Sequence, residues 1–143
     1  MSGDAFVVAV TFVVRYNPEF GGHDTLLERD YWLAAGCHLL PPGLACCHLD
    51  WAVMAGTPEA LRVLARLVGE PEGAVDAQHV CTKAAERPEA QLLQQYLNVR
   101  VEAAHTAALK YPVKAAHLSR WLAKEAALRD YLVKQYPTLG GTL

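Results

Sequence analysis

The chain has 143 residues, 52% of them apolar and 20% charged, with a formal net charge of −2. That length suits one domain with its own core, and that composition excludes a disordered chain. The near-neutral charge excludes a global pull toward nucleic acid or anionic lipid.

The longest apolar run is Ala5–Val14, broken only by Thr11. It is shorter than the roughly 20 residues a membrane-spanning helix needs. The residues before it, Met1-Ser2-Gly3-Asp4, lack the basic character of a secretory signal. β-Branched and aromatic residues fill the run, so the sequence predicts a β-strand over 5–14, apolar on both faces. Asn17-Pro18 and Gly21-Gly22 then break the chain. A lone strand needs a partner, either a short strand near 17–23 or a strand in another subunit.

Helices are predicted from 25 to 135. Thr25 and Glu28 make a capping-box pattern for a helix to about Ala35, with Gly36 as its stop. Pro41-Pro42-Gly43 turns into a helix over about Leu44–Ala55. Thr57 is read as the cap of the next, with Pro58 in its first turn. Ala60, Leu61, Leu64, Leu67 and Val68 form its apolar stripe, and Gly69 stops it. Asp76 caps a helix with Val80, Cys81, Ala84 and Ala85 on one face. Pro88 opens another, with Leu92, Leu93, Tyr96 and Leu97 inward. A short helix over about Val101–Lys110 follows. Pro112 opens the longest, roughly 112–135, with Leu118, Trp121, Leu122, Leu128 and Leu132 inward. Residues 136–143 read as a loose tail. The expected fold is therefore one mainly α domain over 1–143. It is built as stacked helix pairs or a helical bundle with one N-terminal β-strand or short hairpin.

Three segments align on Pro58, Pro88 and Pro112. In each, an Ala-rich short helix leads through the Pro into a Leu-rich helix, and the first two share Pro-Glu-Ala at 58–60 and 88–90. Residues Leu49–Leu67, followed by Val75-Asp76-Ala77-Gln78, resemble the helix–turn–helix and following turn of an ankyrin repeat, over about residues 49–97. The resemblance implies stacked helix pairs that bury their apolar faces against one another, and a surface for binding another protein.

The chemistry-bearing residues are Cys37-His38, Cys46-Cys47-His48 and His79-x-Cys81. Zinc wants about four such ligands in a tetrahedron. Cys37 and Cys46 lie too far apart for a paired-ligand knuckle, and Cys46 and Cys47 too close, so these thiols read as buried structural residues. Whether Cys37, Cys46, Cys47 and the nearby histidines bind a metal stays open at this point. Four cysteines without a staple pattern point to the cytoplasm or another reducing compartment. His23, His38, His48, His79, His105 and His117 are scattered, and Gly21-Gly22 lacks the Lys-Ser/Thr of a phosphate loop. No catalytic, cofactor-binding or metal-binding residue is assigned, no cofactor is expected, and the partner-binding residues are left unknown.

Lys110, Lys114, Arg120 and Lys124, with Tyr111 and Trp121 among them, read as a solvated helix face. Trp32, Trp51 and Trp121 read as core or inter-helix anchors; an exposed one would mark a binding hot spot. The function expected is a non-enzymatic protein–protein interaction or assembly module built on short helical repeats. Its partner would be another protein or a second copy, with nucleic acid disfavoured and no membrane. The alternatives are a metal- or thiol-dependent small protein using the Cys/His set, and a helical nucleic-acid-associated subunit using the late basic helices.

Overall fold

The computed structural model describes residues 2–143, with side chains from Asp4 onward. The helices are α1 (Ser2–Tyr16), α2 (Asp24–Leu27), α3 (Pro42–Ala55), α4 (Thr57–Leu67), α5 (Ala77–Ala85), α6 (Glu89–Lys110) and α7 (Leu118–Gln135). A wider π-type turn over Glu28–Leu33 continues α2, and 3-10 turns stand at Pro18–Phe20, Cys37–Leu39, Pro112–His117 and Pro137–Leu139. The chain is mainly α, as its composition and caps imply. No helix among the described residues is long and apolar enough to cross a membrane.

The expected N-terminal strand over 5–14 is wrong: these residues lie within α1, and the described residues contain no strand. The reason is periodicity. Ala9, Val10, Phe12 and Val13 are buried, with Ala5 and Phe6 partly buried one turn earlier, while Asp4, Val7, Thr11 and Arg15 face solvent. That is a helical face, and burying it outweighs the β preference of single residues. Asp4 in the first turn and Arg15 in the last also suit the helix dipole.

The hub is α3. Every residue from Gly43 to Asp50 is buried, so two turns of helix are enclosed on all sides. The helices α1, α4, α6 and α7 all pack on it. Its first turn is fixed from α6: the Glu89 carboxylate accepts from the backbone N–H of Gly43 at 2.8 Å and of Leu44 at 3.1 Å. This supplies partners to two otherwise orphaned donors. A Cβ at position 43 would fall 2.8 Å from Leu139 Cδ1 and 3.1 Å from the Glu89 carboxylate, so glycine leaves room for both side chains.

Several finer expectations are refined. Asp76 does cap α5, accepting from Gln78 and His79 N–H at 3.1 and 3.5 Å. Gly36 and Gly69 end their helices with positive φ of 75° and 77°. Thr25 and Thr57, by contrast, stand inside the first turns they were expected to cap. The two helices expected over 88–97 and 101–110 are one continuous α6. The tail over 136–143 is not loose: Leu139 is buried, and the Leu143 carbonyl accepts from Arg129 Nη1 at 3.0 Å.

His48 sits at the centre of α3, fully buried. Its Nδ1 lies 2.7 Å from Tyr96 Oη and its Nε2 2.9 Å from the Ala35 carbonyl. A neutral ring satisfies both: Nε2–H donates to the carbonyl, and Nδ1 accepts from the tyrosine. Burial lowers its pKa from 6.5 to about 4, against the opposing pull of the Ala35 carbonyl. The unfolded state therefore binds a proton that the fold excludes, and stability falls as pH drops from about 6.5 toward 4, with no further loss from this group below that. The loss attributable to His48 is about 3 kcal/mol. Urea unfolding across that range checks it: the stability gap between the natural protein and His48→Gln should narrow as pH falls, and a constant gap would refute the assignment.

Candidate functional site

Four residues of α3, Cys47, Asp50, Trp51 and Met54, share one face by their i, i+3, i+4, i+7 spacing. That face meets Arg100 from α6 and Glu125 from α7. Arg100 is the last buried member of the α6 stripe that runs through Leu92, Leu93, Tyr96 and Leu97. Its guanidinium is shared among three helices. Nε and Nη2 hold the two oxygens of Glu125, both at 2.9 Å. Nη2 also donates to Asp50 Oδ2 at 2.6 Å, and Nη1 to the Cys47 carbonyl at 3.0 Å. The Trp51 ring lies beneath, 5.2 Å from Cζ. Lys124 Nζ adds a second cation on Asp50 Oδ2, at 3.1 Å.

Burial alone would lower the Arg100 pKa, but Asp50 and Glu125 hold it well above its ordinary value. Lys124 goes the other way, drawn below its ordinary value by burial despite Asp50. Asp50 Oδ1 and Trp51 Nε1 are buried with no hydrogen-bond partner among the described residues. Both Glu125 oxygens and Asp50 Oδ2 are occupied by cations.

This network is the last enclosed layer of the protein. From Val101 to Lys124 every residue is at least partly exposed, and the Lys124 side chain, on Asp50, is 11% exposed. The outer part of α6, the Pro112–His117 turn and the first turns of α7 form a hairpin that stands clear of the core. Its tip is apolar: Leu109 is 86% exposed and Val113 83%. On α6 the inward stripe continues as Ala103, Ala104 and Ala107. On α7 the stripe of Glu125 and Leu128 continues back through Trp121 and Leu118.

Between the two lies a groove of about 310 Å³, lined by Trp51, Met54, Ala103, Ala107 and Trp121, with Lys114 beside them. It adjoins a second hollow of about 250 Å³ across Met54 and Trp121, where Tyr16, Arg120 and Lys124 stand. A larger hollow, about 570 Å³, lies between the start of α4 and the loop at 72–75. Its lining includes Glu59, Arg62 and Glu72 and no aromatic ring. We place the site at the smaller groove, where aromatic surface and buried charge meet.

Charge follows the same division. Glu102 at the root is the hairpin's one acidic residue, and beyond it residues 103–124 contain four Lys/Arg and no Asp/Glu, in a chain of net charge −2. Among the described residues, Lys110, Lys114 and Arg120 have no carboxylate partner. Tyr111 stands between two of them, with Lys110 Nζ at 5.9 Å and Lys114 Nζ at 4.9 Å from its ring.

Of the Cys/His set only Cys47 reaches this site, through its carbonyl and with its sulfur 3.8 Å from Arg100 Nη1. All four thiols are buried. Burial raises each of them; Cys47 and Cys81 are pushed up to about 12. Cys37 and Cys46 are raised by the same cause. Such thiols are protonated and poor nucleophiles. His38 and His79 face solvent, the latter 2.7 Å from Glu70, and His48 is locked in the core. Among the described residues no three His, Cys, Asp or Glu side chains converge as a metal site would require. Of the tryptophans, Trp32 is buried on Phe6, whereas Trp51 and Trp121 are only partly buried and line the groove.

Sequence reading found the basic residues and the two tryptophans but not the network beneath them. A signal was present. Asp50, Arg100 and Glu125 each stand in register with an apolar stripe, and a charge there must find a partner.

The chain matches no family model, and comparison with curated proteins and with solved structures gave no match.

Removing Arg100 leaves two buried carboxylates without their main cation. Arg100→Met should lower unfolding free energy by about 3–5 kcal/mol. Equilibrium urea unfolding measures this, and a loss under about 1 kcal/mol would show that the network is not a closed, desolvated unit.

Proposed function

We propose that this chain is a non-enzymatic protein–protein interaction module whose partner, another protein, docks on the outer hairpin formed by residues 101–124. The observation that carries this reading is the unburied hairpin itself. Twenty-four consecutive residues, among them Leu109, Tyr111, Val113, Leu118, Trp121 and Leu122, are held in helices and turns without one being buried. Isolated short helices are marginal in water, and most helical stability in proteins comes from packing an apolar face. A hairpin anchored at one end by a buried ion network and apolar at the other is built to be covered. Partly exposed tryptophans beside a groove are the residue type that most often anchors interfaces.

The chemistry available elsewhere supports a binding role over catalysis. The thiols are buried and protonated, and the groove's acidic group, Glu125, is committed to Arg100 through both oxygens. The packing of α3 on α4 and α6, and of α4 on α5 and α6, supports reading the middle of the chain as stacked, repeat-like helices. On that reading the hairpin is a specialised extension of the last helix. The setting of Tyr111 between Lys110 and Lys114 favours a second reading, contact with single-stranded nucleic acid by stacking and charge.

Photo-cross-linking in source extract separates these readings. The full chain carries a benzophenone side chain at Val113, with exposed Lys83 on α5 as the control position. The expected result is a protein adduct at position 113 that survives nuclease and does not form at position 83. Nuclease-sensitive adducts would transfer the site to nucleic acid, and equal labelling at both positions would overturn the assignment of the hairpin.

A further inference from the structure

We infer that the occupant of the groove is an acidic amphipathic helix from the partner protein, inserting a bulky apolar side chain between Trp51 and Trp121 and setting carboxylates against Lys114 and Arg120. This rests on the interaction reading above and specifies the partner's chemistry.

The case for a helix is geometric. The inner half of α6 packs on α3, and its inward stripe is built of large residues: Leu92, Leu93, Tyr96 and Leu97. Beyond Arg100 the same stripe becomes Ala103, Ala104 and Ala107, just where α3 ends at Ala55. The outer hairpin is thus two sides of a three-helix arrangement whose third side is open. Small residues on that face allow helix axes to approach toward the short end of the usual 8–10 Å. The groove of about 310 Å³ has room for bulky side chains but not for a helix backbone. The occupant therefore lies across it and inserts anchors, the helix-in-groove mode of recognition.

The case for acidity is electrostatic. Lys110, Lys114 and Arg120 are exposed without carboxylate partners, and the whole 103–124 segment lacks Asp and Glu. Complementary carboxylates steer encounter and fix the register of docking. The same distribution argues against a second copy of this chain: its apolar tip carries Lys110 and Lys114, and seating that tip in the groove would bring cations against cations. Polyanionic nucleic acid is the poorer fit, because Met54, Leu109 and Val113 offer phosphates nothing and the segment supplies only four cations, against the 6–10 phosphate contacts of salt-sensitive binders.

Designed tryptophan-free peptides of about 18 residues, roughly 27 Å as a helix, test this on the full chain. One carries Leu and Phe on one face and Glu on the other. The second replaces each Glu by Lys. The third replaces the Leu and Phe by Ala. A single-stranded oligonucleotide is a fourth probe. Tryptophan fluorescence and calorimetry read binding. The acidic peptide should bind and shift the emission. Its affinity should fall at least about tenfold in Lys114→Glu/Arg120→Glu, both exposed positions, with the circular dichroism of the variant expected to match that of the natural protein. The second and third peptides should not bind.

Equal binding of acidic and basic peptides, an unchanged affinity in the double variant, or tighter binding of the oligonucleotide would each overturn the inference. If position 113 cross-links to a protein while no helical peptide binds, the helical occupant is refuted and the interaction reading stands.

Discussion

A fully buried guanidinium governs this structure. Arg100 cannot sit in the interior unpaired, because desolvating a lone charge costs far more than a domain's net stability. Its planar fork therefore draws Glu125 from α7, Asp50 from α3 and the Cys47 carbonyl to one point. Lysine would not do the same, having no pair of parallel donors for a carboxylate. An apolar trio would hold the three helices together as firmly, since buried ion pairs seldom add net stability over well-packed hydrocarbon. What the ions add is location: three helices are obliged to cross at Arg100.

That crossing divides the molecule. Inward of it, leucines, alanines and four inert thiols make an ordinary core around α3. Outward of it the same helix faces continue without burial, and the polarity of the chain changes. Beyond Glu102 cations replace the mixed charges found elsewhere, and alanines replace leucines on the stripe of α6. The tryptophans mark the seam, since Trp51 lies under Arg100 and Trp121 stands one turn before Glu125. The groove is thus the place where a packed interior opens onto unpaired helix surface.

Much of the helical framework was legible from local chemistry. Asp76 as a cap, Gly36 and Gly69 as stops and the stripe through Leu92 and Leu97 follow from rules acting within one or two turns. The failures arose where tertiary context decides. Val and Phe in residues 5–14 favour a strand one by one. Only the spacing of Asp4, Thr11 and Arg15 around the opposite face records the helix that packs on α3 and α7. The two helices expected on either side of Asn98–Arg100 are one, and that continuity is what carries Arg100 into the ion network. The stripe of Leu118, Trp121 and Leu122 predicts an inward face, yet all three stay partly exposed and Trp121 lines the groove. Periodicity shows which face is apolar and says nothing of whether another element is there to cover it.

The Glu89 carboxylate at the head of α3 has a mechanical consequence. Glu89 and Arg100 lie on the same helix, eleven residues apart, about 16 Å along its axis. Each is pinned to α3, one at the backbone of Gly43 and Leu44, the other at Asp50 and the Cys47 carbonyl. A rod fastened at two points cannot slide or roll on its support, and whatever projects past the second fastening behaves as a cantilever. The outer end of α6 is therefore stiff at its root, and a load on the tip is carried into the central helix as strain on two charged fastenings rather than absorbed by a hinge. On the interaction reading proposed above, docking at such an end meets a shape already set, with little backbone freedom left to lose.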